Sequence, residues 1–167
     1  TRLMIGPGVL VNVDVLLQEI KYFSTNDRTF VDPQCGIIDS THIDKDTSDP
    51  NLTRIGTTGT GTGPANADRA LRKAHLARDS TELSEYLQDI SNTVNGSIDN
   101  NQTVLVEGTQ GTFLSLYHGT YPYVTSKDVT ASAICSDVGI GPKKVSEVMV
   151  VYKSYVTRVG SGPLEGE

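Results

Sequence analysis

The stretch Gly56-Thr-Thr-Gly-Thr-Gly-Thr-Gly63, followed at once by Pro64, decides how this chain is organised. Glycine permits backbone conformations in which successive N–H groups converge, and proline is well suited to the first turn of a helix. A loop that leads into a helix start presents these N–H donors, and the positive end of the helix dipole, to an anion. This Gly/Thr loop (residues 56–63) therefore suits a phosphate, with threonine hydroxyls as further donors. A flexible linker has a similar composition, and the spacing matches neither the P-loop nor the dinucleotide-binding fingerprint.

A helix is predicted after the Gly/Thr loop, because small and apolar residues recur there at helical spacing. They are Ala67, Ala70, Leu71, Ala74 and Ala77. Arg69, Arg72 and Lys73 would then lie on the opposite face, close to the candidate anion site. The alternative is a solvated face on which Asp68 pairs with Arg72. A second helix is predicted from a capping sequence at residues 79–82 and continues through Leu83, Leu87, Ile90 and Val94.

The residues before the Gly/Thr loop predict short strands and one clear helix. Leu3-Met4-Ile5 is an apolar run that ends at Gly6-Pro7-Gly8, which indicates a strand and a turn. Asn12 is placed to cap a helix whose apolar residues are Val13, Leu16, Leu17 and Ile20. Residues 29–32 and 36–39 are predicted to be extended. Residues 40–53 are polar and rich in turn-forming residues, so we predict a loop.

The second half of the chain predicts two strands and one helix. Residues 103–106 form a compact β-branched run, typical of a buried strand, that ends in the loop Glu107-Gly-Thr-Gln-Gly111. Open α/β sheets bind ligands beyond the carboxyl ends of their strands, which favours Gln110 as a ligand-facing amide. A polar turn residue explains Gln110 equally well. A helix over 129–137 and a long strand over 145–156 complete an α/β fold, with a mostly parallel or mixed central sheet and flanking helices.

Composition excludes several classes of function. The chain has 167 residues and a net charge of −6, which argues against binding to nucleic acid or to an anionic membrane surface. Cys35 and Cys135 are the only cysteines, too few for a disulfide framework and without zinc-site spacing. The three histidines do not predict a metal site either. A reduced, cytoplasmic protein is the simplest interpretation.

Five ordered motifs resemble the adenylosuccinate synthetase family. They are Ile55–Arg69, which contains the Gly/Thr loop, Val106–Thr112, the GTYPYVTS string of 119–126, Gly139–Pro142 and the TRVGSGP string of 157–163. Ser115, where bacterial members usually carry aspartate, resembles the shorter archaeal branch. The resemblance implies a P-loop-NTPase-like synthetase fold, incomplete here, with residues 1–167 as the central part of a single synthetase domain.

The resemblance also implies an activity and a set of site residues. The family is a ligase that uses GTP and magnesium to form adenylosuccinate from IMP and aspartate, in AMP biosynthesis. Arg72 matches an arginine that reaches across a homodimer interface to the neighbouring subunit's IMP, and Gln110 matches a residue that holds the 6-phosphoryl intermediate. The other matched IMP-binding residues are Thr58 and Thr125, with backbone contacts near Val159 and Gly160.

Departures from the family pattern limit what the chain can do alone. The N-terminal phosphate loop with its catalytic aspartate, the histidine general acid, and the aspartate- and guanine-binding segments have no counterpart in residues 1–167. Thr60 replaces a basic residue of many members, and Pro163-Leu-Glu-Gly-Glu167 also departs from the common pattern. We therefore expect the isolated chain to be inactive. The alternative is a short module that binds a nucleoside monophosphate without turnover.

Overall fold

The computed structural model describes residues 1–164, so part of the departure at 163–167 lies outside the described residues. The strands are β1 (Leu3–Ile5), β2 (Leu10–Val11), β3 (Thr29–Val31) and β4 (Gly36–Ile37). The helices are α1 (Val13–Phe23), α2 (Ser40–Ser48), α3 (Pro50–Arg54), α4 (Thr62–Ala70), α5 (Ile90–Asp99) and α6 (Ala131–Val138). Four single turns of 3₁₀ helix lie at Ala77–Asp79, Ser84–Tyr86, Thr112–Leu114 and Pro142–Lys144.

The four strands form two parallel pairs. β1 pairs with β3, with Met4 opposite Phe30, and β2 pairs with β4, with Leu10 opposite Gly36. Successive side chains of a strand point to opposite faces. Accordingly, Val31 belongs to one hydrophobic cluster while Phe30 packs against the other. The first cluster contains Val11, Leu16, Ile20, Val31, Cys35, Ala77, Leu83 and Tyr86, and the second contains Ile90, Val94, Cys135 and Ile140.

α1 and α6 confirm the predictions made for them. α1 begins after Asn12, whose side-chain oxygen accepts a hydrogen bond from the N–H of Val15 at 3.1 Å. It buries Leu16 and Ile20, two of the four apolar residues that the helical spacing predicted to share a face. α6 also agrees with the predicted helix over 129–137, within two residues at its start and one at its end.

The prediction of a loop over residues 40–53 is wrong, because aspartate caps start two helices there. Asp39 accepts hydrogen bonds from the N–H groups of Thr41 and His42, and α2 follows. Asp49 accepts from the N–H of Asn51 at 2.8 Å, and Pro50 occupies the first turn of α3. The buried face of α2 consists of His42 and Asp46, so a search for apolar periodicity misses it.

The predicted helix after the Gly/Thr loop is confirmed only as far as Ala70. Arg72 adopts a left-handed backbone with φ of 62°, which ends α4 before most of the predicted apolar stripe. Arg72 and Lys73 therefore do not share a helix face with Arg69. The second predicted helix is also wrong at its start: turns at 77–79 and 84–86 precede α5, which Asp89 caps.

Residues 103–106 and 145–156, predicted as strands, form none in the part of the chain that the structure describes. A strand requires a neighbour for its backbone hydrogen bonds, and neither segment has one among residues 1–164. Val104 and Val106 still pack against the second cluster, whereas Leu105 is 75% exposed. Side chains 104–106 thus alternate between packed and exposed, as in a strand, but their backbone pairs with no other strand in residues 1–164.

Candidate functional site

The Gly/Thr loop lies on α2 and leads directly into α4. Gly61, with φ of 79°, is the N-cap residue of α4, so the loop ends at a helix start as predicted. A row of hydroxyls runs along the loop: Thr58 Oγ1 lies 3.1 Å from Thr60 Oγ1, which lies 3.0 Å from Thr62 Oγ1. Thr58 and Thr60 are exposed. The two hydrogen bonds within the row use two of the three hydroxyl hydrogens, which leaves one for an anion at the start of α4.

The segment around Gly160 touches the first residue of the Gly/Thr loop. A methyl group added at Gly160 would lie 2.5 Å from the carbonyl oxygen of Gly56, and one added at Gly56 would lie 2.5 Å from the N atom of Ser161. Both glycines have positive φ, 70° at Gly56 and 89° at Gly160. The structure thus brings Val159 and Gly160, two predicted contact residues, beside the Gly/Thr loop.

Hydrogen bonds connect the 119–126 motif to α4 and to the 157–163 motif. Asn66 of α4 donates from Nδ2 to Ser126 Oγ at 2.7 Å, which brings the residue after Thr125 against the middle of α4. Arg158 donates from Nη2 to the carbonyl oxygen of Tyr123 at 3.0 Å. The 55–69, 119–126 and 157–163 motifs therefore contact one another.

The Gln110 loop reaches the same region through Thr125. The N–H of Thr125 donates to the carbonyl oxygen of Leu114 at 2.7 Å, and the Leu114 turn follows Gln110 by a few residues. Gln110 is exposed and has a left-handed backbone, with φ of 63°. Thr109 donates its hydroxyl hydrogen to Gln110 Oε1, so the amide N–H₂ group remains available to a ligand.

A buried hydroxyl fixes the segment that follows the Gln110 turn. Ser115 is fully buried and donates to Asp128 Oδ1 at 2.7 Å. This hydrogen bond, with a second from the Thr130 hydroxyl, holds the pKa of Asp128 below its ordinary value. The carboxylate is thereby kept charged as an acceptor for both hydroxyls.

The model of the adenylosuccinate synthetase family matches residues 1–81 and 75–167, which together include the whole chain. The chain belongs to the adenylosuccinate synthetase family.

Archaeal relatives support the predicted resemblance to the archaeal branch of the family. The adenylosuccinate synthetase of Methanococcus aeolicus is 54% identical over 171 residues, covering 100% of this chain and 51% of the relative. That of Methanocaldococcus jannaschii is 55% identical over 170 residues, covering 99% of this chain and 49% of the relative. The chain spans about half the length of the curated relatives it matches.

Solved structures confirm the predicted α/β fold class. The fully ligated adenylosuccinate synthetase of Plasmodium falciparum superposes with a TM-score of 0.90 at 26% identity, over 96% of this chain and 49% of that one. A succinoaminodeoxyadenylate synthetase of cyanophage S-2L, bound to dGMP and dATP, has a TM-score of 0.72 at 25% identity, over 86% of this chain and 42% of that one.

One residue predicted from the family pattern lies apart from the others. Arg72 follows the end of α4, whereas the Gly/Thr loop ends in its first turn. The nine residues of α4 span about 13 Å at 1.5 Å per residue, so Arg72 lies about one helix length from the start of α4. Arg72 is exposed, and no carboxylate lies within 4.0 Å of its guanidinium in residues 1–164.

Sequence reasoning missed three residues that build the site. Asp46 binds the underside of the Gly/Thr loop, while Asn66 and Arg158 join the 119–126 motif to its neighbours. Asn66 and Arg158 lie inside the family motifs, which was a usable signal. Asp46 lies in the polar stretch that was predicted to be a loop. Its spacing of four residues from His42, which puts both on one face of a helix, could have indicated α2.

The described residues contain no cluster suited to a metal ion, and the environment of Cys35 suppresses the reactivity of its thiol. In residues 1–164 no group of three or more His, Cys, Asp or Glu side chains could hold a metal ion. Burial, with a further contribution from Asp32, raises the pKa of Cys35 to about 12, so this thiol stays protonated near neutral pH. No helix in that range is long and apolar enough to cross a membrane.

Proposed function

We propose that this chain forms the IMP-holding part of an adenylosuccinate synthetase, a GTP-dependent ligase that joins aspartate to IMP. The observation that carries the proposal is that the 55–69, 119–126 and 157–163 motifs contact one another. Gly56 touches Gly160, and Asn66 holds Ser126. Residues 1–167 would then be the central part of one synthetase domain in the cytoplasm, in keeping with the two free cysteines.

The IMP phosphate is assigned to the start of α4. Thr58 offers its hydroxyl there, and the peptide dipoles of α4 favour a negative charge at that end. Thr125 approaches from the Asn66–Ser126 contact. Backbone groups of Val159 and Gly160 border the loop on its other side and are assigned to the nucleotide as well.

Gln110 is assigned to the 6-oxygen of IMP. Its free amide donors can orient a phosphoryl oxygen without adding a charge, which is the role expected of the catalytic contact in this chain. The position of its loop, tied through Leu114 to Thr125, supports the assignment. GTP and magnesium are proposed from family membership alone, because the described residues contain neither a metal cluster nor P-loop spacing.

Arg72 is assigned to the partner subunit's IMP in a homodimer. It lies about a helix length from the Gly/Thr loop of its own chain, and its guanidinium has no carboxylate partner in residues 1–164. A charge placed outside its own site and left unpaired is available to a second subunit. This geometry supports a site shared between two chains.

A second candidate is a module that binds a nucleoside monophosphate without turnover. It is favoured by one observation: the spacing of the Gly/Thr loop is not that of a P-loop. The two candidates differ in an assay with IMP, GTP, aspartate and magnesium. We expect the 167-residue chain alone to form no adenylosuccinate, and the protein from the complete reading frame to form it.

The direct test is IMP binding by the protein expressed from its complete reading frame. Thr58→Val keeps the shape of the side chain and removes the hydroxyl. Because a hydrogen bond to a charged group contributes about 1.5–3 kcal/mol, we expect the Kd for IMP to rise about ten- to hundredfold. Isothermal titration calorimetry measures the change. Thr103→Val, at an exposed threonine outside the site, serves as the matched control. An unchanged Kd in Thr58→Val would remove Thr58 from the site.

A further inference from the structure

Asp46 is a buried carboxylate that both ends of the Gly/Thr loop share. Its side chain belongs to α2 and is 2% exposed. Oδ1 accepts a hydrogen bond from the Thr57 hydroxyl at 2.7 Å, and Oδ2 accepts one from the N–H of Gly61 at 2.8 Å. No Lys, Arg or His nitrogen lies within 4.0 Å of this carboxylate in residues 1–164. The two loop donors are therefore its principal compensation for burial.

These two hydrogen bonds divide the loop into an inner and an outer side. Thr57 and Gly61 face α2, and the N–H of Gly59 also turns inward, 3.3 Å from Thr57 Oγ1. The hydroxyls of the residues between and after them, Thr58, Thr60 and Thr62, form the outer row. Residues 57, 59 and 61 thus direct hydrogen-bonding groups toward α2, and residues 58, 60 and 62 carry the hydroxyls of the outer row.

The loop also lies too close to α2 to shift inward. A methyl group added at Gly61 would lie 3.0 Å from His42 Cβ and 3.0 Å from the N atom of Ile43. This contact on one side, with Asp46 holding both ends, restrains the loop in the absence of a ligand. Such pre-organisation lowers the cost of ordering the loop when a ligand binds.

We propose that Asp46 is the positioning residue of the phosphate site, turning the hydroxyls of Thr58, Thr60 and Thr62 outward to meet the anion. This inference rests on the proposed function for the identity of the anion, namely the phosphate of IMP. Asp46 itself does not touch the ligand. Its negative charge opposes an anion, so its benefit comes entirely from the order it imposes on the loop.

The experiment uses two variants of the protein from the complete reading frame. Asp46→Ala removes both acceptors, and Thr57→Val removes one hydroxyl while keeping the side-chain shape. Asp44→Ala, at an exposed carboxylate of the same helix, is the matched control. Hydrogen–deuterium exchange of a peptide covering the Gly/Thr loop is measured without ligand, with the peptide of α1 as internal reference.

In both variants we expect the loop amides to exchange about tenfold faster or more, while α1 is unchanged, because a buried hydrogen bond is lost. We expect the KM for IMP to rise about tenfold or more in Asp46→Ala and by a smaller factor in Thr57→Val. The kcat and the KM for GTP should stay within about twofold. A general loss of structure would instead lower kcat and accelerate exchange in α1.

Unchanged loop exchange in either folded variant would overturn the proposal, as would faster exchange with an unchanged KM for IMP. Tighter IMP binding by Asp46→Ala would also overturn it, because the charge would then act chiefly by repulsion. If Asp46→Ala does not fold, Thr57→Val decides the matter. A wild-type protein that does not bind IMP would overturn the proposed function, whereas the exchange experiment would still test the hold of Asp46 on the loop.

Discussion

Because Gly160 has no side chain, its backbone can contact the backbone of Gly56, which is distant in the sequence. Its φ of 89° is costly for any L side chain, and the carbonyl oxygen of Gly56 lies only 2.5 Å from where a Cβ would stand. The contact is between backbones, so no flexible side chain can yield to make room.

Gly160→Ala is therefore expected to destabilise the protein by about 1–3 kcal/mol through backbone strain and loss of the contact. Urea unfolding followed by circular dichroism measures the change. Gly96→Ala is the control: a methyl group there meets nothing within 4 Å, and alanine raises helix propensity in α5. We expect the control to be neutral or stabilising. Equal effects of the two substitutions would contradict the close contact.

Single residues of the site were only partly accessible from the sequence. Thr58 and Gly160 are predicted as site residues from motifs that the chain shares with the family, and their contacts with a ligand stay a prediction. Asp46 could not be predicted in this way, since a buried carboxylate needs partners that only the folded loop provides. Arg72 was assigned to a helix face by spacing, and its left-handed φ of 62° removed it from that helix.

At the scale of elements, the sequence predicts best where apolar periodicity and a cap agree. α1 satisfies both conditions and was predicted within its bounds. α2 has capping residues but almost no apolar face, so its polar sequence was interpreted as a loop. Residues 103–106 and 145–156 have strand composition but lack a backbone neighbour in residues 1–164. Local propensity cannot supply that neighbour.

The start of α2 depends on Asp39, which gives a prediction for this element. Its Oδ1 accepts hydrogen bonds from the Thr41 hydroxyl at 2.6 Å and from the N–H of Thr41 at 2.9 Å. The Thr41 hydroxyl, followed by the N–H of His42, holds the pKa of Asp39 below its ordinary value. Asp39→Ala is expected to cost about 1 kcal/mol of stability at pH 7, as for other lost helix caps.

The pH dependence has a definite sign. A depressed pKa in the folded state stabilises above the ordinary value of about 3.9, and this contribution is lost as pH falls below it. The stability difference between wild type and Asp39→Ala should therefore shrink below about pH 4. Urea unfolding over a pH series measures it, with Asp44→Ala as the control on the same helix. A difference independent of pH would show that Asp39 does not act as a charged cap.

At the scale of the whole molecule, the most conspicuous feature is an exposed apolar segment near the end of the described chain. Residues 148–152 are all more than half exposed, with Val151 at 94% and Tyr152 at 87%. Their backbone groups are not paired within residues 1–164. An exposed apolar segment with unpaired backbone groups is a template for association with other chains.

We expect the 167-residue chain, studied alone, to associate into species larger than dimers as its concentration rises. Val151→Lys should reduce this association, because a charge in the segment disfavours strand pairing. Sedimentation velocity over a concentration series measures the size distribution. Tyr22→Lys, at a residue of α1 that is 81% exposed, is the control and should leave association unchanged. A wild-type chain that stays monomeric or dimeric throughout would contradict the expectation.

The contact between Gly56 and Gly160 has a consequence for the order of events during synthesis. The two residues are more than a hundred positions apart in the chain, so their meeting closes a long loop and costs entropy that only later contacts repay. Domains emerge from the ribosome from the N-terminal end at about 5–20 residues per second. The Gly/Thr loop is thus made early, yet its neighbour arrives several seconds later. A nascent chain halted before residue 160 would have the start of α4 but only part of the proposed nucleotide site. If that proposal holds, ligand binding assists folding only after translation has passed that point.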